Sequence, residues 1–180
     1  NLANDFYYSD PKPLLIFNDN HDMSRIHTQM KEDVSKTKMA VSLMLTLPRI
    51  PQILYGTEIL MEDSAKPGDH GLIRTDFPGG WKNDKSNAFT GKNLEDSQLE
   101  MQNYLKTLLN FRKNSKAIHE GETLHYAPKD GIYLLSRKYK DEIVIYIVNK
   151  NNNPVNLDTD RFIEIDAVGK IFTDIQTEKR

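Results

Sequence analysis

Two short apolar runs, Pro13-Leu14-Leu15-Ile16-Phe17 and Gln52-Ile53-Leu54-Tyr55, stand on either side of one helical stretch. That is the pattern of a parallel crossover, with strand, helix and strand packed into one sheet. A parallel strand is buried on both faces, so each run needs neighbouring strands and a covering layer on each side. Two such strands cannot close a core. Residues 1–117 therefore read as the end of a larger α/β fold whose beginning lies outside this sequence. The opening Asn1-Leu2-Ala3-Asn4 has no Met and no charged-then-apolar leader, which fits that reading and equally fits a removed signal peptide.

The helix between the runs extends from Lys31 to Leu47. Glu32 and Asp33 in its first turn suit the positive end of the helix dipole. Val34, Ala40, Val41, Leu43, Met44, Leu45 and Leu47 make its later turns apolar nearly all round, and Pro48 stops it. From Met61 to Asp96 no period survives, and the stretch holds Pro67, Gly68, Gly71, Pro78, Gly79, Gly80 and Gly91. An ordered loop of that length usually carries function. Ser97-Gln98-Leu99-Glu100 has the spacing of a capping box, and Met101, Leu105, Leu108 and Leu109 follow on one helical face. Beyond Lys116 the pattern becomes alternation with tight turns. Thr123–Ala127 and Ile132–Tyr139 flank Lys129-Asp130-Gly131, Ile143–Val148 follows, and Phe162–Ile165 and Ile171–Ile175 read as two further strands. The fold class is α/β followed by all-β, with residues 1–117 in the first part and 118–180 in the second.

Composition removes several function classes. With 24 Lys+Arg against 26 Asp+Glu, the formal charge of -2 provides no broad basic field for nucleic acid or an anionic membrane. No run reaches the ~18 apolar residues of a membrane span. The absence of Cys excludes a disulfide framework, a thiolate metal site and a cysteine nucleophile. His27, His70, His119 and His125 show no metal spacing among themselves or with nearby carboxylates.

The sharpest local feature is Phe17-Asn18-Asp19-Asn20-His21-Asp22, where a buried strand ends in an amide, an imidazole and carboxylates. The carboxyl edge of a parallel sheet is where α/β folds and barrels build their sites. An Asp there could stabilise a cation or hold ligand hydroxyls, and a His beside it could donate to those hydroxyls. The plainer reading is that these residues supply turn chemistry and cap the next segment of the chain.

Phe17-x-x-Asn20-His21-Asp22 resembles the fourth conserved region of the α-amylase family, glycoside hydrolase family 13. Ile50-Pro51-Gln52-Ile53-Leu54-Tyr55-Gly56-Thr57-Glu58 resembles that family's eighth barrel strand. Ile73-Arg74-Thr75-Asp76-Phe77-Pro78-Gly79-Gly80-Trp81 is similar to the loop that comes next in neopullulanase- and cyclomaltodextrinase-like members. The three segments stand in the family's order. The resemblance implies the last two β/α units of a (β/α)8 TIM barrel and an antiparallel β-sandwich domain C that lacks its last strands.

It also implies roles. Asp22 matches the family's third essential carboxylate, a transition-state stabiliser that is neither nucleophile nor proton donor. His21 matches the imidazole that binds the same sugar. Arg74, Phe77 and Trp81 are candidate substrate-binding residues. Arg74 and Asp76 could instead pair with each other, and the two aromatic rings could instead pin the loop to the barrel. His70 would touch a ligand only if its loop folds back over the site. The nucleophilic Asp and the acid/base Glu belong to earlier strands, and no motif here matches them. The implied activity is retaining hydrolysis of α-1,4-glucosidic bonds in starch-derived oligosaccharides, pullulan or cyclodextrins. No cofactor is expected in this chain, whereas the parent could hold calcium elsewhere. A periplasmic or secreted parent and self-association of the isolated chain are further expectations. Glucan transfer, a non-catalytic relative and a carbohydrate-binding module are the alternatives.

Overall fold

The structure, a computed structural model, describes residues 2–167 and 169–179. The first apolar run does supply a parallel strand, β1 (Leu15–Ile16), and its partner is β2 (Ile50–Pro51), just ahead of the second run, with Leu15 opposite Ile50 and Ile16 opposite Pro51. The second strand lies earlier than the run Gln52–Tyr55 suggested. Gln52 N–H still donates to Ile16 O at 2.8 Å, but Leu54 O accepts Thr57 N–H and Tyr55 O accepts the Arg25 guanidinium. Those carbonyls belong to a turn, so the ladder ends before them. Nor is β1 buried on both faces. Leu15 is 62% exposed, because among the described residues the parallel sheet has only these two strands.

Between them lie α1 (Ile26–Gln29) and α2 (Val34–Thr46). The second helix starts later than its composition suggested. Lys31 and Glu32 have φ of 58° and 55°, a left-handed conformation that no α-helix continues. Their N–H groups close the end of α1 on Thr28 O and His27 O. Asp33 then caps α2 by accepting Lys36 N–H at 3.0 Å. After α3 (His70–Ile73) comes the long α4 (Asp96–Asn114). Its N-cap is Glu95 and not Ser97, since the Gln98 side chain accepts Glu95 N–H at 3.0 Å and donates to Ile59 O at 3.1 Å. Val41, Met44 and Leu45 of α2 pack with Met101 and Leu105 of α4 and with Leu60. Leu109 is not part of that face. It is partly exposed and lines an open groove with Ile53, Leu54 and Tyr55.

α5 (Lys116–Glu120) leads into one antiparallel sheet of β3 (Glu122–Lys129), β4 (Ile132–Tyr139) and β5 (Glu142–Asn149), in the order β3-β4-β5. Asp130 and Gly131 turn the first hairpin with φ of 51° and 77°, the signs that a tight two-residue turn demands. The segment Phe162–Ile165 is not a strand. It lies in a 3₁₀ helix, Thr159–Ile165, which packs Phe162 and Ile165 together on Leu134. The coil kinks at Phe162, at φ -120° and ψ 27°, and brings both side chains inward, whereas residues three apart on a strand point to opposite faces. Residues 171–175 form no strand either, because the Asp174 side chain accepts the N–H groups of Gln176 and Thr177 and curls the chain into a turn.

Buried guanidinium groups tie α4 to the end of α2 and β4 to α5. The Arg112 side chain reaches from α4 to Leu45 O, to Leu47 O at 3.1 Å and to Arg49 O at 2.6 Å, the carbonyls where α2 hands over to β2. Arg137 on β4 donates to Ala117 O at 3.2 Å, Ile118 O at 2.9 Å and the Thr123 hydroxyl. Burial lowers the pKa of both, that of Arg137 to about 10 with the Arg112 and Arg49 charges adding to the effect. Arg112→Ala strands several buried carbonyls and should cost at least ~2 kcal/mol in urea unfolding. Arg112→Lys should recover less than half of that, because a point ammonium cannot span three acceptors.

Candidate functional site

The segment after β1 is shaped by two carboxyl or amide groups that face inward. Asp19 is buried, and its Oδ2 accepts Ile26 N–H at 2.6 Å, closing the loop on the start of α1. Burial raises its pKa, with the Ile26 hydrogen bond and the Arg25 charge pulling the other way. Asn20 Oδ1 accepts Asp22 N–H at 2.8 Å and Asn20 O accepts Met23 N–H at 3.1 Å. Asn20 thus performs the turn chemistry. His21 and Asp22 do not: their side chains project outward, 63% and 59% exposed, with His21 Nε2 3.2 Å from Asp22 Oδ2.

A second segment, more than fifty positions further on, meets them. The Asp69 side chain caps α3 by accepting Gly71 N–H and Leu72 N–H, and α3 ends at Arg74. Arg74 Nη2 donates to Asp22 Oδ1 at 2.7 Å, and its Nε donates to His21 O at 3.0 Å. The same Nη2 lies 3.2 Å from His70 Nδ1, one turn earlier on α3. The pairing of Arg74 with Asp76 does not form. Asp76 Oδ2 accepts the Trp81 indole N–H at 3.0 Å instead. Phe77 is half-buried and meets Phe89 edge-on at 5.3 Å between centroids, while Trp81 is exposed.

Beneath this surface lie two residues that sequence reasoning missed. Arg25 is fully buried, donating Nε and Nη2 to Ile73 O at 3.0 and 2.6 Å and Nη1 to Tyr55 O. Its guanidinium also stacks 4.9 Å from the Tyr55 ring, whose hydroxyl donates to Thr75 O at 2.9 Å. Gly56, at φ 88°, is required beside it, because a Cβ there would run into the Met61 side chain and lie 2.9 Å from Arg25 Nη1. Asp63 is buried and accepts Ser24 Oγ–H at 2.8 Å, Arg25 N–H at 3.0 Å and Gly68 N–H at 2.7 Å. Burial alone would raise its pKa, but these hydrogen bonds, led by Gly68, outweigh it and hold the carboxyl below its ordinary value. No local pattern marked either residue, since each is defined by partners far along the chain. His27 is structural: burial lowers its pKa, and Nδ1 lies 2.9 Å from Thr37 Oγ1.

Among the described residues no group of three or more His, Asp or Glu could hold a metal ion, and no helix is long and apolar enough to cross a membrane. The arrangement is an exposed carboxylate and imidazole at the carboxyl edge of a parallel sheet, clamped by an arginine and backed by rigid, buried polar contacts.

Residues 11–121 match the model of the α-amylase catalytic domain, and residues 123–180 match that of the cyclo-malto-dextrinase C-terminal domain. The chain belongs to the α-amylase family, glycoside hydrolase family 13. It is 29% identical over 164 residues to alpha-amylase 3 of Dictyoglomus thermophilum, covering 81% of this chain and 32% of that protein. It is 26% identical over 139 residues to a cyclomaltodextrin glucanotransferase of Paenibacillus macerans, covering 77% of this chain and 17% of that protein. The α-amylase of Geobacillus thermoleovorans, solved in complex with acarbose, superposes with a TM-score of 0.66 at 26% identity, over 89% of this chain and 33% of its own. The chain thus spans a third or less of these relatives. Its architecture is the closing β/α units of a TIM barrel followed by an antiparallel domain C.

Asp63 gives a pH test of this site. Because its folded pKa is depressed, its contribution to stability is complete above the ordinary carboxylate value of 3.8 and is lost as pH falls through the lower folded value. Asp63→Asn should therefore cost roughly 2–3 kcal/mol at neutral pH, and the gap from the wild type should close in acid. Thermal unfolding of both proteins from pH 7 downward measures it, and a gap independent of pH would contradict the assignment.

Proposed function

We propose that this chain is the C-terminal part of a retaining hydrolase that cleaves α-1,4-glucosidic bonds in starch-derived oligosaccharides, pullulan or cyclodextrins. The observation that carries the reading is the meeting of Asp22, His21 and Arg74. Asp22 is the transition-state stabiliser. Its charge is worth most as the sugar flattens toward an oxocarbenium-like state, so it acts on the barrier more than on ground-state binding. His21 donates to hydroxyls of the same sugar. Arg74 binds substrate and also sets the Asp22 carboxylate, since it grips both that group and the carbonyl before it. Phe77 and Trp81 contact sugar rings. Residues 1–117 are the catalytic-domain part and 118–180 the domain C part. Calcium, where the longer protein binds it, lies outside this chain. A periplasmic or secreted site of action suits a polymer too large to cross a membrane. Transfer of the glucan to another sugar is the second reading, favoured by the glucanotransferases among the relatives.

In the longer enzyme, Asp22→Asn should leave folding intact and cut kcat by at least ~100-fold, since a charge contact made in the transition state is lost. A rise in KM with normal kcat would refute the role. Product analysis on maltotriose separates hydrolysis from transfer.

The 180-residue chain alone should release no reducing sugar from starch, pullulan or cyclodextrin. Retention requires an acid and a nucleophilic carboxylate ~5–5.5 Å apart, and Asp22 cannot serve as both. The exposed, apolar Leu15 edge should also drive this chain to self-associate, which sedimentation would show.

A further inference from the structure

Asp22 and Arg74 form an ion pair at 2.7 Å, yet both side chains are open to solvent. A pair so exposed gains little energy and does not hold its own geometry. What fixes it must lie in the backbone beneath.

The peptide carbonyls on either side of Arg74 are both held. Ile73 O accepts Arg25 Nε–H at 3.0 Å and Nη2–H at 2.6 Å, and Thr75 O accepts the Tyr55 hydroxyl at 2.9 Å. The two donor residues are one unit, since Arg25 Nη1 donates to Tyr55 O and the guanidinium lies 4.9 Å from the centroid of the Tyr55 ring. The Asp22 end is tied to the same residue. Arg25 stands three positions after Asp22, and its N–H donates to Asp63 at 3.0 Å. The loop that carries Asp22 is closed by Asp19, which accepts Ile26 N–H at 2.6 Å, and by Gln29, whose Nε2 donates to Ser24 O at 2.6 Å. Arg25, Asp19 and Asp63 are buried by the residues of this chain alone, so further chain packed against them would only bury them more.

We propose that Arg25 and Tyr55 form a positioning unit for the reaction, which rests on the reading of Asp22 as the transition-state stabiliser. By holding the carbonyls before and after Arg74, they set where its guanidinium meets Asp22 and so how that carboxylate faces the sugar. Both act through Arg74. A guanidinium can bridge the Ile73 and Tyr55 carbonyls because its donors radiate in one plane, whereas a lysine ammonium is a single point. A clamp displaced by about 1 Å moves the carboxylate away from the place where charge develops, which acts on kcat more than on affinity.

In the longer enzyme, Arg25→Lys should lower kcat for maltotriose cleavage about tenfold, with KM changed less than about threefold. Tyr55→Phe keeps the ring on Arg25 and removes only the hold on Thr75 O, and its kcat should fall about threefold. Cleavage is counted as loss of maltotriose, so hydrolysis and transfer register alike. Both losses should vanish in an Arg74→Ala background, where the group they act through is gone, whereas damage to packing would multiply with it. In crystals of Arg25→Lys, Arg74 Nη2 should leave Asp22 Oδ1, a readout that needs no activity. Losses as large without Arg74 as with it overturn the unit. So does a lowered Tm with kcat and KM unchanged in both variants. If Arg25→Lys does not fold, Tyr55→Phe decides, and an unchanged kcat there overturns the proposal. Normal wild-type cleavage with Arg74 unmoved in the Arg25→Lys crystal removes the unit and leaves the hydrolase reading. A wild-type enzyme that cleaves nothing, with Arg74 displaced in that crystal, does the reverse.

Discussion

The site depends on one buried cation. Arg25 lies between three segments that are distant in sequence, and its guanidinium holds the Ile73 and Tyr55 carbonyls while stacking on the Tyr55 ring. A guanidinium suits this position because its donors radiate in a rigid plane, so one side chain can fix the separation of two backbone strands. Ile73 is the residue before Arg74, and Arg25 lies three residues after Asp22. Fixing those carbonyls therefore fixes the distance between the carboxylate and its clamp. Asp63 completes the arrangement by accepting Arg25 N–H, so the backbone and the side chain of Arg25 are both tied.

The same physics recurs where α4 meets the end of α2 and where β4 meets α5. Arg112 and Arg137 are buried and meet carbonyl oxygens and a hydroxyl, with no carboxylate among their hydrogen-bond partners. A buried charge without a counter-charge is tolerated when several aligned carbonyl dipoles surround it, and helix ends supply such carbonyls. The lowered pKa of both groups is the sign that this compensation is incomplete. Tyr146 adds a neutral link, its hydroxyl donating to Met39 O at 2.7 Å. The β-sheet is thus fastened to α5 through Arg137 and to α2 through Tyr146, by polar contacts that specify geometry more sharply than apolar packing would.

The candidate surface is built in two layers, one buried and one solvated. Below, Asp19 and His27 have pKa values moved by burial in the directions that disfavour charge. Above, His21, Asp22 and Arg74 are open to solvent and carry the polar groups that a sugar could meet. Rigid, poorly hydrated support under a solvated face is what allows an exposed carboxylate to keep one orientation.

By itself the sequence determined the two grammars of the chain, a parallel strand pair on either side of a helix and the hairpin at Asp130-Gly131, and it singled out His21-Asp22 as the candidate site. Each of these comes from local periodicity, turn chemistry or a short motif, which act within a few residues. Only the tertiary structure decided where β2 begins, because the fate of the Leu54 and Tyr55 carbonyls depends on Thr57 and on Arg25. It decided that residues 159–165 coil rather than extend, because Phe162 and Ile165 must both reach Leu134. It decided that Arg74 serves Asp22 and that Asp76 serves Trp81, although Arg74 and Asp76 stand two apart in sequence. In each case the choice lay between partners of similar chemistry, and hydrogen bonds go to the group that the fold brings within reach in the right direction.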